Sequence, residues 1–202
     1  MTTQYRAWLV DLDGTLYRAR PVKIRMAIEL GLGGWGVVGV LKRFRQEHEH
    51  LRDSLDHDVD SPFLEQVRRT ASALGRDESE VKAIVDDWMV QRPCKHLAKH
   101  TNAALMDEIR AFRRAGGKTA CVTDYPAREK LDAMGATELF DCIIASGESQ
   151  GPPRLKPHPA GYLRAAELLG VAPEHCLVIG DRDDADGLAA EQAGMAFRKE
   201  RA

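Results

Sequence analysis

From about residue 100 onward, short apolar runs alternate with helical stretches, and this rhythm leaves few folds open to the chain. Asn102 to Ala115 reads as an Asn-capped helix ended by Gly116-Gly117, and Lys118 to Thr123 follows as a strand. Next come a helix over Ala127 to Met134, a strand over Asp141 to Ala145, a helix over Pro159 to Leu169 and a strand over His175 to Ile179. Asp184 to Ala193 closes as a helix, with Met195-Ala196-Phe197 as a last edge strand. Strands separated by helices pair in parallel, because a parallel neighbour is reached only by a long crossover. With Ala7 to Val10 as one more strand, the expected core is α/β, a doubly wound parallel sheet of Rossmann-like type.

Residues 18–96 break this rhythm: they carry helical periodicity and almost no strand signal. Val22 to Leu30, Val37 to Arg52, Pro62 to Leu74 and Glu78 to Gln91 are the candidate helices. A Gly cluster, an acidic segment from Asp56 to Asp60, and Gly75-Arg76-Asp77 separate them. The expected organisation is an all-helical domain over 18–96, inserted into a core made of 1–17 and 97–202. Thr15 to Pro21 and Gln91 to Lys99 would be its hinges. Such an insertion hangs over the carboxyl ends of the strands, where open α/β sheets bind ligands.

Gly31-Leu32-Gly33-Gly34-Trp35-Gly36 matches G-x-G-x-x-G, but a helix precedes it where a dinucleotide site needs a strand, so it reads as a hinge or tight connection. The apolar stretch from Gly31 to Leu41, Trp35 included, reads as core of the insertion, with a dimer contact as the alternative. His48, His50 and His57, with Glu47 and Glu49, read as a solvated helix face, and Arg43, Arg45 and Arg52 as conceivable ligand contacts.

The composition of the 202 residues, 44% hydrophobic with a net charge of −2, offers no field for nucleic acid or an anionic membrane. Met1 to Arg6 lacks the features of a signal peptide and no apolar run approaches membrane-spanning length, so a cytoplasmic protein is expected, monomeric or homodimeric. Cys94, Cys121, Cys142 and Cys176 form no Cys-x-x-Cys pair and read as reduced thiols.

Chemistry concentrates at strand ends. Asp11-Leu12-Asp13-Gly14-Thr15 follows the first strand, and alternation sends Asp11 and Asp13 to one side. Two carboxylates so close repel, which suits a cation between them or a nucleophile beside an acid-base partner; a polar turn is the plain alternative. Thr123 closes the second strand, followed by Asp124, and a hydroxyl there suits a phosphate oxygen or a helix cap. Lys156, in Leu155-Lys156-Pro157-His158-Pro159, projects from a loop that two prolines constrain. Gly180-Asp181-Arg182-Asp183-Asp184-Ala185-Asp186-Gly187 offers hard oxygen ligands for magnesium. It is no calcium EF-hand, since Arg182 and Ala193 would fall on ligand positions.

In this order Asp11 to Thr15, Thr123, Lys156 to Pro159, and Gly180-Asp181 with Asp186 resemble the four motifs of the haloacid dehalogenase-like (HAD) hydrolase superfamily. The branch resembled has a helical cap domain after the first motif. The resemblance implies that Asp11 attacks phosphorus to form an aspartyl-phosphate, while Asp13 protonates the leaving oxygen and then activates water. Thr123 and Lys156 would bind phosphoryl oxygens, with Asp124 beside them, and Lys156 would restrain the nucleophile. Magnesium would sit on Asp11, the Asp13 carbonyl and Asp181, with Asp186 supporting the cluster. Asp13 points to a Mg-dependent phosphatase of a small phosphorylated metabolite, or to a sugar phosphomutase; a silent phosphate-binding module is the non-enzymatic alternative. Asp124 departs from the Asn common in relatives, adding negative charge at a phosphate site.

Overall fold

The computed structural model describes residues 5–54 and 57–200; Met1 to Gln4, and Asp56 at the head of the acidic segment, lie outside them. The strands are β1 (Ala7–Val10), β2 (Lys118–Thr123), β3 (Cys142–Ala145), β4 (Cys176–Gly180) and β5 (Ala196–Lys199). All pair in parallel, in the order β3-β2-β1-β4-β5, so β1 is central and Val10 is flanked by Cys121 and Ile179. Strand alternation divides the apolar residues between two faces. Leu9, Ala120, Val122 and Val178 lie with Tyr162, Ala165 and Ala189 in one cluster. Val10, Cys121, Ile143 and Ile179 lie with Leu105, Ile109 and Leu131 in the other. The helices behind these contacts are α6 (Ala103–Arg114) and α7 (Arg128–Ala133) on one face, α8 (Ala160–Leu169) and α9 (Leu188–Gln192) on the other. The doubly wound sheet expected from the rhythm is therefore present.

Between β1 and α6 run α1 (Ala19–Gly33), α2 (Val38–Ser54), α3 (Pro62–Leu74), α4 (Glu78–Val85) and α5 (Arg92–Leu97). Local signals explain α3 well: the Ser61 hydroxyl accepts from Leu64 N, Pro62 opens the first turn, and Gly75 ends it at φ 61°. The stretch read as one helix over Glu78 to Gln91 instead passes into a π-helical turn at Asp86–Gln91 before α5 begins. Val40, Phe44, Phe63, Val67, Val81 and Val85 give α2, α3 and α4 their own core, with Phe44 edge-on to Phe63 at 5.8 Å. Val22 and Leu97 instead join the cluster beneath the sheet. The entering and leaving chains are tied by Arg18 N to His100 O and Asn102 N to Leu16 O, each 2.8 Å.

Two expectations for this region hold only in part: Val40 and Leu41 are buried and Glu49, His50 and His57 exposed as expected, but others of these residues are not. Trp35 and Leu32 are 78% and 83% exposed, because the chain bends by 106° between α1 and α2 and carries them to the outer corner. A Cβ at Gly34, in that bend, would lie 2.7 Å from Trp88, so only glycine lets the backbone pass there. Glu47 and His48 are buried, not solvated, since the face of α2 that carries them turns inward. No single helix among the described residues is long and apolar enough to cross a membrane.

Phe44 is fully buried in the core of α2, α3 and α4, so Phe44→Ala should lower stability by about 3–5 kcal/mol. Urea denaturation followed by Trp fluorescence measures this, and a loss below about 1 kcal/mol would contradict the packing described.

Candidate active site

The carboxyl ends of β1, β2 and β4 lie side by side on one edge of the sheet, and Asp11, Thr123 and Asp181 stand at or just beyond them. Asp11 follows β1 directly, its amide held by the Ile179 carbonyl at 2.8 Å. Gly14 then adopts φ +105°, and a Cβ there would lie 2.3 Å from Asp181 Oδ2. Glycine is thus required twice over, for the turn and for the carboxylate beside it. Gly180 makes similar room for Asp186, whose Cγ would be 2.4 Å from an added Cβ.

Lys156 is the centre of the cluster. Its buried ammonium donates to Asp11 Oδ1 at 2.6 Å and to Asp186 Oδ1 at 2.7 Å. The Tyr162 hydroxyl donates to the same Asp186 oxygen at 2.7 Å, and Thr15 Oγ1 donates to Asp11 Oδ2 at 2.9 Å. Burial by itself would discharge the lysine, but Asp11 and Asp186 outweigh it and hold the ammonium well above its usual range. Burial, reinforced by Asp186 and only partly offset by Lys156, pushes the Asp11 carboxyl up to about 8. Burial and Asp186 also raise Asp181. Carboxylate oxygens of Asp11, Asp181 and Asp186 lie within 4.8 Å of one another. This is a hard-oxygen donor set with more negative charge than one ammonium balances, and it fits a small divalent cation.

Asp13 leaves the same turn but has different company. Lys130 of α7 donates to both its oxygens, at 2.7 and 2.9 Å, and the Tyr17 hydroxyl donates to Oδ1 at 2.6 Å. Burial disfavours this carboxylate, yet Lys130 and Tyr17 prevail and hold it below its ordinary value. Neither partner was singled out from the sequence. Arg128-Glu129-Lys130 has the composition of a solvated helix turn, and only the fold buries its lysine.

Thr123 is buried at the end of β2 and its hydroxyl accepts a long bond from Tyr125 N at 3.4 Å. The neighbouring Asp124 carboxylate accepts from the Lys156 backbone amide at 3.1 Å and lies 3.9 Å from His48 Nε2. His48 also stacks on Tyr125 at 4.9 Å and approaches Gln66 Oε1 at 3.3 Å. Arg52, another residue of α2, donates from Nε to the Lys156 carbonyl at 2.9 Å. The inserted helices therefore grip the lysine loop through its backbone. Of the three arginines considered from the sequence, Arg52 is the one engaged there. All four cysteines are free thiols.

Lys130→Met would strand the half-buried Asp13 carboxylate, at a cost on the order of 2 kcal/mol near pH 7. Because Asp13 is held below its ordinary 3.8, the pair's contribution is complete above that value and disappears as pH falls through the depressed one. The stability gap between wild type and variant should narrow below about pH 4. Denaturation curves at both pH values test this, and an equal gap would refute it.

Comparison with known proteins shows the family and the fold. A family profile described as haloacid dehalogenase-like hydrolase matches residues 5–194. A glyceraldehyde 3-phosphate phosphatase of Methanopyrus kandleri is 37% identical over 94% of this chain and 81% of its own. A phosphoglycolate phosphatase of Thiobacillus denitrificans is 27% identical, covering 94% of this chain and 80% of its own. A HAD-hydrolase structure from Bacillus subtilis bound to magnesium superposes with a TM-score of 0.66 at 16% identity, covering 96% of this chain and 88% of its own, a likeness of fold. With phosphatases as its curated relatives and a family profile along nearly its whole length, the chain belongs to the haloacid dehalogenase-like hydrolases and is an enzyme of their phosphoric monoester hydrolase kind.

Proposed function

We propose that this protein is a magnesium-dependent phosphatase that cleaves a small phosphomonoester through an aspartyl-phosphate on Asp11. The observation that carries the proposal is the buried Lys156 ammonium, bridging Asp11 and Asp186 while Asp181 completes an acidic cluster beside them. Phosphoryl transfer asks chiefly for an aligned nucleophile and neutralisation of charge on the equatorial oxygens. Lys156 holds Asp11 in place and supplies positive charge beside it, and the Thr123 hydroxyl is available to a phosphoryl oxygen. The Asp124 carboxylate, already engaged by the Lys156 amide, braces that loop.

Asp11, Asp181 and the Asp13 carbonyl would hold magnesium, with Asp186 supporting them. When bound, the ion would neutralise phosphoryl charge and that of the carboxylates. Asp11 attacks phosphorus, the bond to the ester oxygen breaks, and that oxygen takes a proton from Asp13. Asp13 then removes a proton from water as it attacks the aspartyl-phosphate, releasing inorganic phosphate and regenerating Asp11. The Lys130 and Tyr17 contacts favour the ionised Asp13 that the second step needs and oppose the protonated form that the first step needs. The helices over 18–96 act as the cap that shields the reaction from bulk water, with hinges where the chain enters and leaves. The names of the relatives, phosphoglycolate and glyceraldehyde 3-phosphate phosphatases, support a substrate of a few carbon atoms.

Magnesium-dependent phosphate release from p-nitrophenyl phosphate should be abolished in Asp11→Asn and slowed on the order of 10² to 10⁴-fold in Asp13→Asn. Wild-type turnover no faster than Asp11→Asn would defeat the assignment. Because Asp11 is raised to about 8, magnesium must displace a proton at neutral pH, and its affinity should climb as pH rises toward that value. Calorimetry in buffers of different ionisation enthalpy would detect the released proton.

A further inference from the structure

The wall facing the acidic cluster carries charge that the fold itself does not use. A cavity of about 650 Å³ opens beside Gly14 and Asp181, and α1 lines its other side with Arg20, Lys23, Ile24 and Ala27. Those positions recur at helical spacing, so a single face of α1 looks into the cavity. Among the described residues, Arg20 and Lys23 have no hydrogen-bond or ion-pair partner. Some helical arginines elsewhere face an acid four residues away, as in Arg43 with Glu47 and Arg69 with Glu65. On α1 the first acid is Glu29, and it is committed to Arg92 and His96.

Asp181 belongs both to the acidic cluster and to the wall of this cavity, so the cavity borders the cluster. A phosphomonoester with its phosphoryl group at the cluster has this cavity for the rest of the molecule, and the volume suits a small metabolite. We propose that Arg20 and Lys23 form a subsite for a second anionic group of the substrate, a carboxylate or a second phosphate. The proposal rests on the phosphatase reading above. The arginine fork matches either oxyanion in a bidentate fashion, while the lysine adds a mobile point charge. Ile24 and Ala27 supply an apolar strip against which a short carbon chain can lie.

The test uses matched substrates with the full-length protein and magnesium: phosphoglycolate against 2-hydroxyethyl phosphate, and propane-1,3-diol bisphosphate against 3-hydroxypropyl phosphate. Within at least one pair the anionic member should be preferred on the order of 10 to 100-fold in kcat/KM, expressed mainly in KM. The pair with the larger ratio tells carboxylate from phosphate. Arg20→Met with Lys23→Met should bring that ratio towards one, whereas Arg25→Met, on the same helix but outside the cavity wall, should preserve it. Ratios near one in wild type overturn the subsite and leave the phosphatase reading standing, provided p-nitrophenyl phosphate is cleaved. An unchanged ratio in the double variant, or an equal fall in Arg25→Met, also overturns it. Absence of turnover on p-nitrophenyl phosphate as well would remove the phosphatase reading, and the subsite with it.

Discussion

One buried ammonium organises this protein. Lys156 lies between Asp11 from the end of β1 and Asp186 from beyond β4, and it is the charge that lets both carboxylates leave water. Burying either acid alone would cost several kcal/mol, and burying the lysine alone would cost as much. Together they still carry excess negative charge, which appears as the raised Asp11 and Asp181. A fold that held only structural ion pairs would have no reason to leave that imbalance. The cation and phosphoryl group of the proposed reaction would draw on that imbalance.

The surroundings of Lys156 serve the same arrangement. Its amide is held by Asp124 and its carbonyl by Arg52, so one residue of the core and one of the inserted helices clasp the same short segment. His48, packed on Tyr125 and facing Asp124, adds a second contact from α2. The added charge of Asp124, which looks unfavourable beside a phosphate, is used to brace the lysine loop and to face a helix of the insertion. The inserted helices and the lysine loop are therefore mechanically linked.

The two aspartates of the first motif differ more than their spacing suggests. Asp11 is raised by burial among acids, whereas Asp13 is lowered by Lys130 and Tyr17, so neighbouring groups in one turn are separated electrostatically. The two carboxyls therefore ionise in different pH ranges although only one residue lies between them. Asp13 is lowered partly by Lys130 of α7, more than a hundred residues away in the chain, and partly by Tyr17, four residues beyond it.

Much of the architecture follows from local pattern. Lys118 to Thr123 and Pro62 to Leu74 were legible to the residue, because a run rich in β-branched residues, a Ser-Pro cap and a terminal glycine each act within a few positions. The polar groups at strand ends were legible too, since a parallel sheet aligns all its carboxyl ends on one edge. The sheet, the run of helices between β1 and α6 and the polar groups at strand ends could thus be read from local pattern. Tertiary structure alone decided the partners: Lys130 and Tyr17 on Asp13, Tyr162 on Asp186, buried His48, and exposed Trp35. The physical reason is that burial and charge pairing depend on distances between segments remote in the chain, and no periodicity encodes which lysine of a helix will face a carboxylate from another strand.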